Sequence, residues 1–232
     1  MSVPRVQKQI DSIEEFVDEK SVAFRHRVFV ITDSKGRYIS KYLERRDFVE
    51  IVYRGGARIR DKALLGRLRG RISGLSKPIV MLWLGTCDIT QKQRGGSAIS
   101  MRQTDVKEII NRLQEMILVI KGMNNSAEVV CLQCPAYSIS IWNNKHGCEG
   151  DGKEEDKVLE SFIEEFNSEV DAINSFYTPK FTLDLLKNTK TGTRSRYYLN
   201  FNALYLDGIH PGEIISKLCF LKMKKLALDR HE

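Results

Sequence analysis

Short apolar runs recur along this chain. Each is cut off by glycine, proline or a small polar cluster, and most are followed by residues at helical spacing. Val28 to Ile31 stops at Thr32-Asp33-Ser34, with Gly36 close behind, and Tyr38, Ile39, Tyr42 and Leu43 continue with helical spacing. Phe48 to Tyr53 stops at Arg54-Gly55-Gly56-Ala57, before the stripe Ile59, Ala63, Leu64, Leu65, Leu68 and Ile72. Ile79 to Leu84 follows Pro78 and stops at Gly85-Thr86-Cys87-Asp88, and a helix from Asp105 to Lys121 comes next. Glu128 to Gln133 stops at Cys134-Pro135, ahead of an acidic helix over 154–176. Phe181 to Leu185 reads as a fifth strand, and a last helix is expected over 212–228. Strand and helix in alternation predict an α/β protein whose parallel sheet is covered by helices on both faces.

The chain has 232 residues, enough for one domain with a sizeable core. Residues 1–25 read as a polar helical lead-in with Ile10, Ile13, Phe16 and Val17 at helical spacing, and 26–232 as the single α/β domain. Gln91 to Met101, with Gly95-Gly96, is expected to be a mobile loop, and Asn143 to Gly152 a long polar one. No internal repeat or low-complexity tract is present. The longest apolar run, Ile79 to Leu84, is far too short to span a bilayer. Arg5, Lys8, Asp11, Glu14 and Glu15 leave no room for the apolar segment of a secretory signal. Five cysteines, an odd number, argue against a disulfide framework. The expected location is therefore intracellular, in the cytoplasm or the nucleus.

A serine on a strand–turn–helix unit such as 28–43 sits at the carboxyl edge of the sheet, near the positive end of the next helix. An α/β protein can place a nucleophile there, although Asp33 or Ser34 could equally serve as a helix cap. Near the other end of the chain, Asp207-Gly208-Ile209-His210-Pro211 precedes a helix. A serine hydroxyl is a poor nucleophile until a positioned imidazole takes its proton. That imidazole in turn needs a carboxylate to fix its tautomer and stabilise its charged form. Asp207 and His210, three residues apart on one turn, can supply both groups, or can be a capping aspartate beside a surface histidine.

Taken together, Asp33-Ser34, Gly55-Gly56-Ala57, Gly85-Thr86-Cys87-Asp88 and Asp207-Gly208-Ile209-His210 resemble, in order and spacing, the blocks of the SGNH, or GDSL-like, hydrolase family. The resemblance covers nearly all of 28–210. It implies a three-layer α/β/α, flavodoxin-like fold with a five-stranded parallel sheet, hydrolysis of a small ester or acetyl group, and no metal or organic cofactor. It assigns Ser34 as nucleophile, His210 as general base and Asp207 as the group that orients it. The oxyanion hole would comprise the backbone N–H groups of Ser34 and Gly56, with Cys87 at the third position. Two residues depart from the family pattern. Thr32 stands where glycine is usual, and Cys87 stands where an asparagine amide normally completes the hole. Either a neighbouring hydroxyl, Thr86 or Thr90, compensates, or turnover is slow, since one lost donor costs on the order of 10²–10³ in rate.

Net charge is +7 and unevenly spread. Arg54, Arg58, Arg60, Lys62, Arg67, Arg69 and Arg71 fall close together with only Asp61 opposing them. Such a stretch can neutralise phosphates, which gives an alternative function: a weakly active or inactive SGNH-fold module that binds nucleic acid, as in accessory domains of some mobile elements. A solvated helix face explains the same residues. Cys131, Cys134, His146 and Cys148 have spacing compatible with zinc, but Cys131 alternates with Val129 along a strand and reads as a buried structural thiol. Tyr137 and Trp142 are candidates to line a cleft.

Overall fold

A computed structural model describes residues 3–45, 47–93, 95–148, 152–174 and 204–229. Its centre is a four-stranded parallel sheet of β1 (Val28–Thr32), β2 (Val49–Tyr53), β3 (Ile79–Trp83) and β6 (Glu128–Cys131), in the order β2-β1-β3-β6. The order is that of a doubly wound sheet, in which the first strand lies inside and the chain winds outward in both directions. The expected fifth strand, 181–185, lies outside the described residues.

Alternation along each strand sends side chains to two separate cores. Val28 and Val30 of β1, with Ile79, Met81 and Trp83 of β3, pack beneath α1 (Val3–Ser21) and α8 (Glu213–Asp229). Phe29, Ile31, Val80 and Leu82 face the other way, toward α3 (Lys62–Ile72), α5 (Val106–Met123) and α7 (Lys153–Ile173). β1 and β3 are buried on both faces, which is why they read as unbroken apolar runs. In α1, Val6, Ile10 and Val17 form the buried stripe against α8. Among the described residues no helix is long and apolar enough to cross a membrane.

Caps fix where the helices begin. The Asp61 carboxylate accepts from Ala63 N and Leu64 N at 3.0 Å to start α3, and Asp105 accepts from Glu108 N at 2.6 Å to start α5. Ser138 caps the short α6 (Ile139–Lys145), accepting from Ile141 N at 3.1 Å. The expected polar loop after residue 143 therefore begins as helix. The expected mobile loop over 91–101 is an antiparallel hairpin of β4 (Thr90–Lys92) and β5 (Ile99–Met101). Asn143 holds it from outside: its Oδ1 accepts from Ile99 N at 2.8 Å, and its Nδ2 donates to Ile99 O at 3.0 Å.

Register places the functional loops side by side. Thr32 pairs with Tyr53 on one side and Trp83 on the other, so β2, β1 and β3 end level. The turns that follow, over 33–35, 54–57 and 85–88, therefore share one edge. The turn after β1 is tight against its neighbour. A Cβ on Gly36 would lie 2.3 Å from the Tyr53 Cβ and 2.6 Å from the Thr32 Cγ2.

Gly36→Ala should therefore destabilise the protein by about 1–3 kcal/mol through overpacking. Gly66 and Gly70, exposed on α3 with nothing within 4 Å of an added Cβ, should respond oppositely. Gly66→Ala or Gly70→Ala should raise stability by about 0.5–1 kcal/mol each. Urea unfolding of the three variants checks both signs; a neutral Gly36→Ala would mean the turn is not pressed against β2.

Candidate active site

At the end of β1 the chain turns within four residues, Gly36 N donating to Asp33 O at 3.1 Å and Arg37 N to Ser34 O at 3.2 Å. A helical turn, α2 (Gly36–Ile39), follows and passes into a 3-10 turn at Ser40–Tyr42, shorter than the spacing of Tyr38 to Leu43 suggested. Asp33 and Lys35 both point inward and are almost fully buried. The Lys35 Nζ lies 2.5 Å from the Asp33 carboxylate, donates to the Thr86 hydroxyl at 2.8 Å and sits 5.2 Å from the Trp83 ring centroid. Asp33 also accepts from Lys35 N at 3.0 Å, so it does stiffen the turn, as a cap would. Ser34, between two buried neighbours, is turned outward and remains half-buried.

His210 meets it from the loop before α8. Its Nε2 is 2.9 Å from the Ser34 Oγ, and its Nδ1 is 2.7 Å from the Asp207 Oδ2. The other Asp207 oxygen accepts from Ile209 N at 3.1 Å and His210 N at 2.7 Å, so one carboxylate shapes the loop and orients the ring. Burial pushes the Asp207 pKa up, but hydrogen bonds from His210 and Ile209 and the charge of His210 outweigh it, and the carboxyl sits below its ordinary value. Leu206 N donates to His210 O at 2.9 Å and Gly212 N to Leu204 O at 2.8 Å, closing the loop beside a bridge between Tyr205 and Pro211. Gly208 has φ +89°, and a Cβ there would lie 2.9 Å from Ile141 and 3.0 Å from Ser138 O. The rings of Tyr38 and Trp142 flank His210, with centroids 5.1 and 5.7 Å away.

Gly56, at φ +72°, lies in a turn closed by Ala57 N donating to Arg54 O at 3.1 Å. Among the described residues neither Ser34 N nor Gly56 N donates to any acceptor. Cys87 lies on the short helix α4 (Thr86–Ile89) that follows β3. Burial, with the Asp33 charge adding to it, pushes the Cys87 thiol up to about 12, so it is a neutral S–H at physiological pH. The Thr86 hydroxyl oxygen accepts from Lys35 Nζ at 2.8 Å, and the Thr90 hydroxyl donates to Thr86 O at 2.8 Å.

The remaining candidate residues are dispersed. Arg54 pairs with Asp61 at 2.9 Å, Arg60 with Glu115 and Arg71 with Glu50, while Arg67 donates to Tyr53 O at 3.3 Å. Arg67 and Arg71 share one face of α3, and Arg69 lies on the opposite one. Three of the arginines are thus partnered by carboxylates that lie outside the acidic helix α7. Among the described residues no three His, Cys, Asp or Glu side chains gather as metal ligands. Cys131 and Cys134 are buried in the core, Cys148 and His146 follow α6, and Tyr137 is a core residue. Sequence reasoning passed over Lys35, Tyr38 and Arg102. Lysine beside a motif serine reads as surface, and only Tyr38, one helical turn after Ser34, carried a positional signal.

The sequence matches no protein-family model and no curated protein. Solved structures do resemble it. A GDSL-like lipase from Bacteroides thetaiotaomicron superposes with a TM-score of 0.53 at 12% identity, over 96% of this chain and 100% of the other. A proposed acylhydrolase from Bacteroides fragilis gives 0.55 at 12% identity, over 92% and 94% of the two chains. The lipase/acylhydrolase of Enterococcus faecalis gives 0.50 at 16% identity, over 88% and 96%. Likeness at such low identity is a likeness of architecture, and by it this chain has the SGNH/GDSL-like hydrolase fold.

Proposed function

We propose that the protein is a serine hydrolase acting on a small ester or acetyl group, with Ser34 as nucleophile, His210 as general base and Asp207 as its orienting carboxylate. The observation that carries this reading is the unbroken contact chain from Ser34 Oγ to His210 Nε2 at 2.9 Å and from His210 Nδ1 to Asp207 at 2.7 Å. With Nδ1 donating to the carboxylate, Nε2 is the unprotonated nitrogen and can accept the serine proton.

In the first half-reaction Ser34 Oγ bonds to the ester carbonyl carbon as its proton passes to His210 Nε2. The carbonyl electron pair moves onto oxygen, which takes hydrogen bonds from Ser34 N, Gly56 N and the weak Cys87 S–H. Asp207, held ionised, stabilises the imidazolium. The intermediate collapses, and the leaving alkoxide takes the Nε2 proton and departs as the alcohol. Water then attacks the acyl-serine carbonyl with His210 again as base, releasing the acid and restoring Ser34.

A fluorophosphonate probe should label Ser34 and leave Ser34→Ala unlabelled; an unlabelled parent protein would overturn the reading. Asp207→Asn should lower kcat by roughly 10⁴, as expected when the imidazole is held in the wrong tautomer.

Cys87 gives a second test. Cys87→Asn would add an amide donor at the oxyanion, where one donor is worth on the order of 10²–10³ in kcat. Hydrolysis of a short-chain aryl ester should therefore rise in Cys87→Asn and change little in Cys87→Ala. Loss of activity in Cys87→Ala would instead assign the thiol a chemical role of its own.

A further inference from the structure

The loop that carries Gly56 continues into a segment pinned against the third block. Ile59 N donates to the Asp88 carboxylate at 2.9 Å, and Ala57 and Ile59 bury their side chains in the core. Arg58, between them, is turned outward and exposed. From the other side the hairpin delivers Arg102. Its Nε donates to Cys87 O at 3.0 Å and Thr90 O at 2.9 Å, and its Nη1 to the Gln91 side chain at 3.1 Å. All three acceptors are neutral. Among the described residues no carboxylate is salt-bridged to either arginine, whereas Arg54, Arg60 and Arg71 nearby each have one.

The local charge is unbalanced. Asp88 is buried and lies 3.7 Å from Arg112, which is also paired with Glu108. Three guanidinium groups, Arg58, Arg102 and Arg112, thus face two carboxylates. Burial and the neighbouring charge of Arg58 push Arg102 below its ordinary pKa and outweigh the buried Asp88 carboxylate, which acts in the opposite direction. A guanidinium with no carboxylate in direct salt-bridge contact, at the rim of a site, matches a planar carboxylate with two parallel hydrogen bonds.

We propose that Arg58 and Arg102 form an anion subsite beside Gly56 and Cys87, and that the preferred substrate is an ester whose acyl group ends in a carboxylate, a half-ester of a short dicarboxylic acid. This rests on the hydrolase reading given above. The leaving alcohol must face His210 Nε2, which protonates it. The arginines stand instead on the side of the oxyanion donors, so the charge belongs to the acyl portion. Arg102 is braced by backbone carbonyls, and Arg58 supplies the adjustable contact.

The test compares monomethyl succinate with methyl butyrate, an uncharged ester of similar size. The kcat/KM ratio should favour the anionic ester by about ten- to a hundredfold at low salt, the range of a hydrogen bond to a charged group. The ratio should fall as salt rises. Arg58→Gln should bring it close to one, and Arg58→Lys should keep part of it. A parent ratio near one, or a ratio indifferent to Arg58→Gln, overturns the subsite. Calorimetry with the Ser34→Ala protein separates the two readings. Monomethyl succinate should bind it at least about tenfold more tightly than it binds the Ser34→Ala, Arg58→Gln protein. That binding without turnover in the parent would leave the subsite standing and remove the hydrolase reading. Equal binding to both variants overturns the subsite whatever the turnover.

Discussion

Ser34 faces His210 because the residues on both sides of it face away. Asp33 and Lys35 are drawn inward into one buried ion pair, and a strand-to-helix turn with two adjacent side chains held below the sheet edge must present the residue between them above it. The Lys35 ammonium also reaches the Thr86 hydroxyl, which ties the turn after β1 to the turn after β3. Removing one partner of such a pair leaves an uncompensated buried charge, a loss of roughly 3–5 kcal/mol. Replacing both by apolar groups can be nearly neutral in stability. The pair thus contributes the direction of the turn more than net stability.

The same edge explains how distant segments converge. Level strand ends bring the turns after β2, β1 and β3 into line, and Gly36 allows the turn after β1 to lie against Tyr53. The fourth component arrives from outside the sheet. Asp207 bends its own loop through two backbone N–H groups while its second oxygen holds the His210 ring, so loop shape and ring orientation depend on one carboxylate. Gly208 lets that loop press onto the start of α6, whose Trp142 then flanks His210.

Much of this was legible in the residues. The apolar runs marked all four strands of the parallel sheet, most plainly β1 and β3, which are buried on both faces, and the turn residues marked where the chain could hold Ser34, Gly56 and His210. The sequence was least legible where a residue's partner lies far away. Gly95-Gly96 reads as slack, yet the hairpin around it is held by Asn143, more than forty residues on. Lys35 reads as surface, yet it is neutralised by Asp33 and solvated by Thr86. The basic segment reads as a stripe, yet Asp61, Glu115 and Glu50 pair with Arg54, Arg60 and Arg71, while among the described residues Arg58 has no salt bridge. Charge in sequence counts residues, and only the fold reveals which charges are already met.

The central claim is that Ser34 carries the acyl group during turnover. Mass spectrometry of protein quenched within the first turnovers of an aryl acetate tests it directly. The account predicts a single acetyl group on the peptide containing Ser34, appearing with the burst of released phenol and decaying as substrate is exhausted. Steady hydrolysis with Ser34 unmodified, or acetyl trapped on Cys87 instead, would contradict it.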